Sequence, residues 1–265
     1  MIDPKKFRPQ LVGTGNVDYF LFNKEVVAIE PKIDGVRCIL YKKDDEIKLF
    51  SRQGQDWTER FRDIIPSLKD CLISSEMILD GEMAVLHNGE ITTSSTVLRK
   101  DLDGGLKRVF FAFDILFVDG LELISSPLIQ RKQHLELLTR DSESFHVIPT
   151  AYVDNKEDVL CFYKKCIERF EGVVLKDLGA YCENSRFNWL KIKPIKTLDM
   201  KIINKERSKD DKMFLYSLEG DGEKLNRIIS SINVPIGCVV EIGFEQNKGS
   251  ERKKFPKILR MREDK

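Results

Sequence analysis

The stretch EVVAIEPKIDGVRCILYKKDDEIKLFSRQG, residues 25–54, decides how the chain is read. Val, Ile, Leu and Tyr alternate with polar residues along it, the period of a half-buried strand. Asp34-Gly35 interrupts the first run and Lys43-Asp44-Asp45 the second, and both are turn chemistry. The stretch therefore predicts strand, short turn, strand, hairpin, strand. Around the first turn stand Lys32, Asp34 and Arg37. A solvated loop would satisfy those residue types. So would a site that attacks a phosphate, because a lysine made neutral by desolvation or a nearby cation exposes its lone pair. The pattern K-x-D-G-x-R alone does not separate the two.

Moving outward, Arg60–Leu72 reads as a helix limited by Pro66. Residues 77–91 read as two strands joined at Asn88-Gly89. Residues 92–108 are polar, carry Gly104-Gly105 and read as a mobile connection, and 108–120 as a buried strand. Ser126-Pro127 supplies an N-cap and a first-turn proline for a helix through LIQRKQHLELLTR. Asn155 opens another, running to about Arg169, with acids at its start and bases near its end as the helix dipole prefers. Strands follow at EGVVLKD and at 186–194. Pro194 marks a boundary, giving domains 1–194 and 195–265. The second should hold strands TLDMKIIN, MFLYSLEG, CVVEIGFEQ and PKILRMRED, with a short helix at EKLNRIISSI. Four or five short strands in about 70 residues suggest a small Greek-key barrel of the OB type.

The chain has 265 residues, 42% of them hydrophobic and 33% charged, enough for a real core with a heavily charged surface. Six cysteines lack CxxC spacing and the three histidines are scattered, which argues against zinc and fits a reducing, intracellular setting. No signal core and no run of about 18 apolar residues occurs, so no membrane is expected. Net charge is +1, yet the tail from Lys248 onward carries eight basic and three acidic residues. Such a strip can follow a phosphate backbone, or it can be a solvated face.

The first stretch does not stand alone. SRQG (51–54) puts Arg52 at a strand end, LDGEM (79–83) puts Glu82 after a turn, and FDILF (113–117) sets Phe113 in a buried strand. EGVVLK (171–176) and WLKIK (189–193) each place a charge on a strand. Alternation puts Lys191 and Lys193 on one face, where two ammoniums repel unless an anion sits between them. Gly13-Thr-Gly15 lacks the third glycine of a dinucleotide loop, no Walker A pattern occurs, and the segment reads as a turn.

The ordered set PKIDGVR, SRQG, LDGEM, AFDILF, EGVVLK, NWLKIK and RMREDK resembles the six-motif signature of the ATP-dependent DNA ligases, within the covalent nucleotidyltransferase superfamily. The resemblance runs from Phe7-Arg8-Pro9 to the last residue. It implies an α+β chain: a nucleotidyltransferase (adenylation) domain of antiparallel sheets with flanking helices, then a C-terminal OB-fold β-barrel. Lys32 resembles the lysine that attacks the α-phosphate of ATP and becomes lysyl-AMP. The resemblance places Glu30 at the adenine amino group, Arg37 at the ribose and nicked end, and Arg52 at the 5′-phosphate of the nick. It places Glu82 at the ribose hydroxyls, Phe113 against adenine, and Glu171 beside Mg²⁺ (or Mn²⁺), with Glu82 as a second candidate metal ligand. Lys191 and Lys193 would hold the α-phosphate, with Arg186 just upstream. Arg262, Asp264 and Lys265 would orient the pyrophosphate leaving group. The implied partner is nicked double-stranded DNA, gripped by a monomer through the basic barrel, segment 92–108, and Lys5, Lys6 and Arg8.

Four alternatives frame that expectation. An mRNA capping guanylyltransferase shares the lysine motif but uses GTP. RNA ligases usually lack a barrel with a terminal RxDK. An NAD-dependent ligase needs an N-terminal module for which 31 residues before Lys32 leave no room. A non-catalytic nucleic-acid binding module would have no use for Lys32, Glu171, Lys191 and Lys193 together.

Overall fold

Residues 25–54 fold as their alternation demands. The computed structural model describes residues 2–22, 24–209, 212–245 and 253–262. The chain folds as two units, Met1–Ile192 and Lys193–Lys265.

In the first unit, α1 (Val17–Leu21) leads into β1 (Val27–Lys32), β2 (Val36–Lys43) and β3 (Glu46–Ser51). Then come α2 (Ile65–Cys71), β4 (Glu76–His87), β5 (Glu90–Ile91), α3 (Ser94–Val97), β6 (Leu106–Val118) and β7 (Leu121–Glu122). The unit closes with α4 (Leu128–Leu138), β8 (Phe145–Val147), β9 (Ala151–Val153), α5 (Lys156–Cys166), β10 (Gly172–Lys176) and β11 (Trp189–Ile192). One sheet has the order β11-β10-β1-β9, antiparallel throughout. The other runs β3-β2-β4-β6-β7, with β5 on β4 and β8 parallel to β6.

Three apolar clusters hold this unit together. Phe61, Leu68, Phe110 and Phe145 pack in one of them, with α2 and β8 against the larger sheet. Val27, Ile29, Val173 and Leu175 pack with Phe20 of α1 and Val159 of α5. The third draws Ile39, Phe50 and Phe113 from the larger sheet and Val174 and Trp189 from the smaller. Burying each such side chain contributes about 1.5–3 kcal/mol. Because the third cluster joins the sheets, it fixes where their facing strand ends meet.

Several elements depart from the sequence expectation. The helix expected over Arg60–Leu72 forms only from Ile65, with Pro66 in its first turn, where a missing N–H is harmless. Pro127, not Ser126, is the N-cap of α4, and no side chain caps it. The Ser126 carbonyl instead accepts from Arg131 Nη1 at 2.5 Å. Helix α5 ends at Cys166, three residues early. Segment 92–108 contains α3. The strand expected from Arg186 begins at Trp189. Gly13 is not in a turn: it forms a parallel bridge with Leu190, and a Cβ there would lie 2.4 Å from the Arg186 carbonyl.

The second unit contains β12 (Lys196–Arg207), β13 (Phe214–Gly220), β14 (Glu223–Ser230), β15 (Val239–Glu245) and β16 (Lys254–Met261). Its sheet has the order β14-β13-β12-β15-β16, and β14 also lies against β16. The first strand thus neighbours the second and fourth while the third meets the fifth, the closed path of an OB barrel. Met200, Ile202, Tyr216, Leu218, Val240 and Ile242 fill it. The helix expected at EKLNRIISSI is strand β14. A bulge explains the misreading: Tyr216 pairs with Ile228 but Leu218 pairs with Leu225, and Arg227 has φ 61°. The extra residue sets the inward Leu225 and Ile228 three apart, imitating helical spacing. No helix among the described residues is long and apolar enough to cross a membrane.

Candidate active site

Strand alternation builds the site. On β1, Glu30 and Lys32 point to one face. Across the sheet Glu30 stands opposite Val174, and Val174 opposite Lys191. Lys176 stands opposite Ala28 and Trp189 in the next row. Lys191 therefore shares the face of Glu30, Val174 and Trp189.

The larger sheet supplies the facing wall. Arg37 on β2 pairs with Glu82 on β4, and Phe113 comes from β6. Gly35 allows this approach: a Cβ would lie 2.4 Å from the Met83 carbonyl and 2.8 Å from Glu82 Cγ. The glycine of PKIDGVR thus answers a backbone contact that any side chain would block. The result is an open cleft whose lining includes Glu30, Lys32, Arg37, Glu82, Phe113, Lys176 and Trp189.

Lys32 ends β1 at the cleft. Its ammonium contacts the Glu171 carboxylate, and its carbonyl accepts from Glu171 N at 3.0 Å. Burial pushes Glu82 up to about 7; Lys32 and Arg37 oppose the rise, and Glu171 and Asp80 add to it. Asp34 is also raised, by burial and then by Glu171. Carboxylates thus crowd around one lysine, where added positive charge would be welcome.

Glu30 is buried at the cleft wall. Lys132 of α4 contacts it, Thr150 Oγ1 donates to Oε1 at 3.0 Å, and Lys176 Nζ lies 2.6 Å from Oε2. Burial would raise this carboxyl, but the two lysines outweigh it and hold it below its usual range. Burial draws Lys176 down to about 8 against the pull of Glu30. The Lys176 ammonium also sits 4.5 Å from the Phe113 ring centroid and 4.2 Å from that of Trp189.

Arg37 has its fork committed to Asp80 through Nε and Nη2, and Nη2 reaches the Gln10 carbonyl at 3.2 Å. Its guanidinium carbon lies 4.5 Å from the Phe113 centroid. Phe113, 7% exposed, has both cations 4.5 Å from its ring centroid and meets Trp189 edge-on at 5.9 Å.

The structure thus brings Glu30, Lys32, Arg37, Glu82, Phe113 and Glu171 together and sets Lys191 on the same sheet face. Arg52, in the turn after β3, and Arg186, before β11, are exposed and outside the cleft lining. Lys193 begins the second unit, one residue past β11, with Nζ 3.0 Å from Glu245. Arg262 Nη1 donates to both Asp199 oxygens at 3.1 Å within that unit. Asp264 and Lys265 lie outside the described residues. Sequence reasoning missed Asp80, Lys132, Thr150 and Lys176. Lys176 carried a signal, since a lysine ending the otherwise apolar run GVVLK needs a buried partner. Lys132 carried none, because LIQRKQHLELL does not show which of its cations turn inward.

Among the described residues, no group of three or more His, Cys, Asp or Glu gathers to hold a metal ion. Glu82 and Glu171, both acting on Lys32, offer the one or two carboxylates that Mg²⁺ takes when phosphates and water complete its shell. The donor set fits such an ion.

Comparison with known proteins identifies the family. Residues 13–193 match the family model described as ATP dependent DNA ligase domain. A probable DNA ligase of Dictyoglomus turgidum is 32% identical over 179 residues, 63% of this chain and 31% of the relative. DNA ligase 1 of Methanosarcina barkeri is 31% identical over 205 residues, 67% of this chain and 37% of the relative. The chain therefore spans about a third of the length of these relatives. The ligase domain of M. tuberculosis LigD superposes with a TM-score of 0.62 at 21% identity, covering 100% of this chain and 97% of that one. At that identity the likeness speaks for the fold.

Proposed function

The chain belongs to the ATP-dependent DNA ligase family, and from that premise we propose that it seals nicks in duplex DNA with ATP, through Lys32. The observation that carries this reading is Lys32 paired with Glu171 at a cleft walled by Glu30, Glu82 and Phe113. Lys32 Nζ, once deprotonated, attacks the α-phosphorus of ATP. A P–N bond forms, the bond to the β-phosphate breaks, and pyrophosphate leaves. The 5′-phosphate of the nick then takes the adenylate and releases the lysine. Attack by the 3′-hydroxyl closes the phosphodiester and frees AMP.

Phosphoryl transfer needs an in-line nucleophile and charge neutralisation more than acid–base chemistry. Glu30 offers an acceptor and Lys176 a donor on one wall, the complement of an amino group beside a ring nitrogen, as in adenine. Phe113 and Trp189 supply the apolar face beneath. Lys191 lies on the face that an α-phosphate would approach. Glu82 and Glu171 would hold a divalent cation. When bound, Mg²⁺ or Mn²⁺ neutralises charge on the phosphate oxygens.

Contact with DNA is assigned to exposed cations. Lys5, Lys6 and Arg8 flank a buried Phe7 that stacks on Tyr181 at 5.9 Å. Gly54, at φ 83°, packs so closely on this lead-in that a Cβ would lie 2.0 Å from the Lys5 carbonyl. The lead-in is thereby docked on the turn that carries Arg52, making one basic surface for the nick.

Incubation with labelled ATP or GTP and Mg²⁺, a denaturing gel, and then a nicked duplex tests the reading. Label from ATP followed by sealed DNA supports it. Label from GTP alone would assign the chain to capping chemistry. No label from either would leave a nucleic-acid binding module.

A further inference from the structure

We propose that Lys132 is a positioning residue that sets the base choice of the cleft by holding the Glu30 carboxylate in place. The inference rests on the ATP reading above and names the residue behind its adenine-reading acid.

Lys132 is 3% exposed and does not line the cleft. Its Nζ is fully buried and, among the described residues, finds no acceptor other than Glu30. Helix α4 is locked at this height by the preceding residue: Arg131 grips Asp114 of β6 through two bonds of 2.7 and 3.1 Å. Asp114 follows Phe113 in the chain, so α4 is keyed to the strand that carries the cleft aromatic. One helix turn thus delivers Arg131 beneath that strand and Lys132 onto Glu30.

The division of Glu30 gives the consequence. Oε1 meets Lys132 and Thr150, while Oε2 meets Lys176. Of the two lysines only Lys176 faces the cleft. While Lys132 neutralises Glu30 from behind, Lys176 is shared between the carboxylate and whatever enters. Without Lys132, Glu30 is a buried carboxylate with a single cation left, and Lys176 is pinned to it. The Lys176–Glu30 contact, already 2.6 Å, would then carry the whole charge of the carboxylate and leave neither group free to meet a base, and the preference for adenine over guanine would shrink.

The test uses the Lys32→Ala protein, which lacks the nucleophile and so cannot form lysyl-AMP, titrated calorimetrically with ATP and with GTP. Adding Lys132→Met should weaken ATP by about tenfold or more and narrow the ATP-to-GTP ratio, since unpaired polar groups in a reading site carry its discrimination. Lys132→Arg should restore most of both. If Lys132→Met does not fold, Thr150→Val removes the other contact to the same oxygen and should produce a smaller change of the same kind. A parent that prefers ATP, with affinity and ratio unmoved within about twofold in the folded variant, overturns the role of Lys132 alone. A parent that binds neither nucleotide overturns the ATP reading itself.

Discussion

Glu82 shows how one buried side chain ties the site to stability. Its carboxyl is pushed up to about 7 from an ordinary 4.5, chiefly by burial. The folded state therefore binds an extra proton between those values. Its contribution is fully present below about 4.5 and is lost as pH rises through about 7. Glu82→Gln should then raise the melting temperature at pH 8, with a gain on the order of 1–3 kcal/mol that vanishes toward pH 5. Thermal scans across that range check it; an equal effect at both ends would refute the assignment. A gain in stability with a loss of activity is expected where a site holds like charges together. At this scale Lys32, Glu30, Glu82, Phe113 and Glu171 were legible, because each sits in a short string whose order constrains it. The partners of Glu30 were not, because Lys132 and Thr150 reach it from elements distant in sequence.

Among the elements, β1, β2 and β3 could be read from alternation and turn residues alone. Strand β14 could not, since its bulge shifts the phase of the apolar residues. The bulge places Arg227 at φ 61°, which costs a residue with a Cβ about 1–2 kcal/mol. Arg227→Gly should recover part of that, about 0.5–1 kcal/mol, and Arg227→Val should lose stability. Urea denaturation of the three proteins measures the order. The opposite order would mean that β14 does not hold this bulge. In α2, Pro66 fits only in the first turn and so shortens the helix, and before β11 the chain packs on Gly13 instead of extending the strand.

For the whole molecule, the sequence indicated a larger first unit and a smaller barrel, with the boundary expected after Pro194; the first unit ends at Ile192 and the second begins at Lys193. The barrel itself was legible from its short strands, whereas the register of each strand pair was not, because it depends on long-range pairing. Deleting residues 262–265 should impair self-adenylation more than sealing of a pre-adenylated nick. Equal losses in both steps would contradict a leaving-group role for that tail. Replacing Lys5 and Lys6 by Ala should lower the salt dependence of nick binding by about one to two units of slope and leave enzyme–AMP formation unchanged. An unchanged slope would remove the lead-in from the DNA surface.

The central claim is that Lys32 becomes covalently adenylated. The most direct measurement is transfer of label from ATP to the protein, with wild type beside Lys32→Ala, followed by a nicked duplex. Label should appear on wild type only and be carried on to sealed DNA. Label retained by Lys32→Ala, or none on wild type, would contradict it.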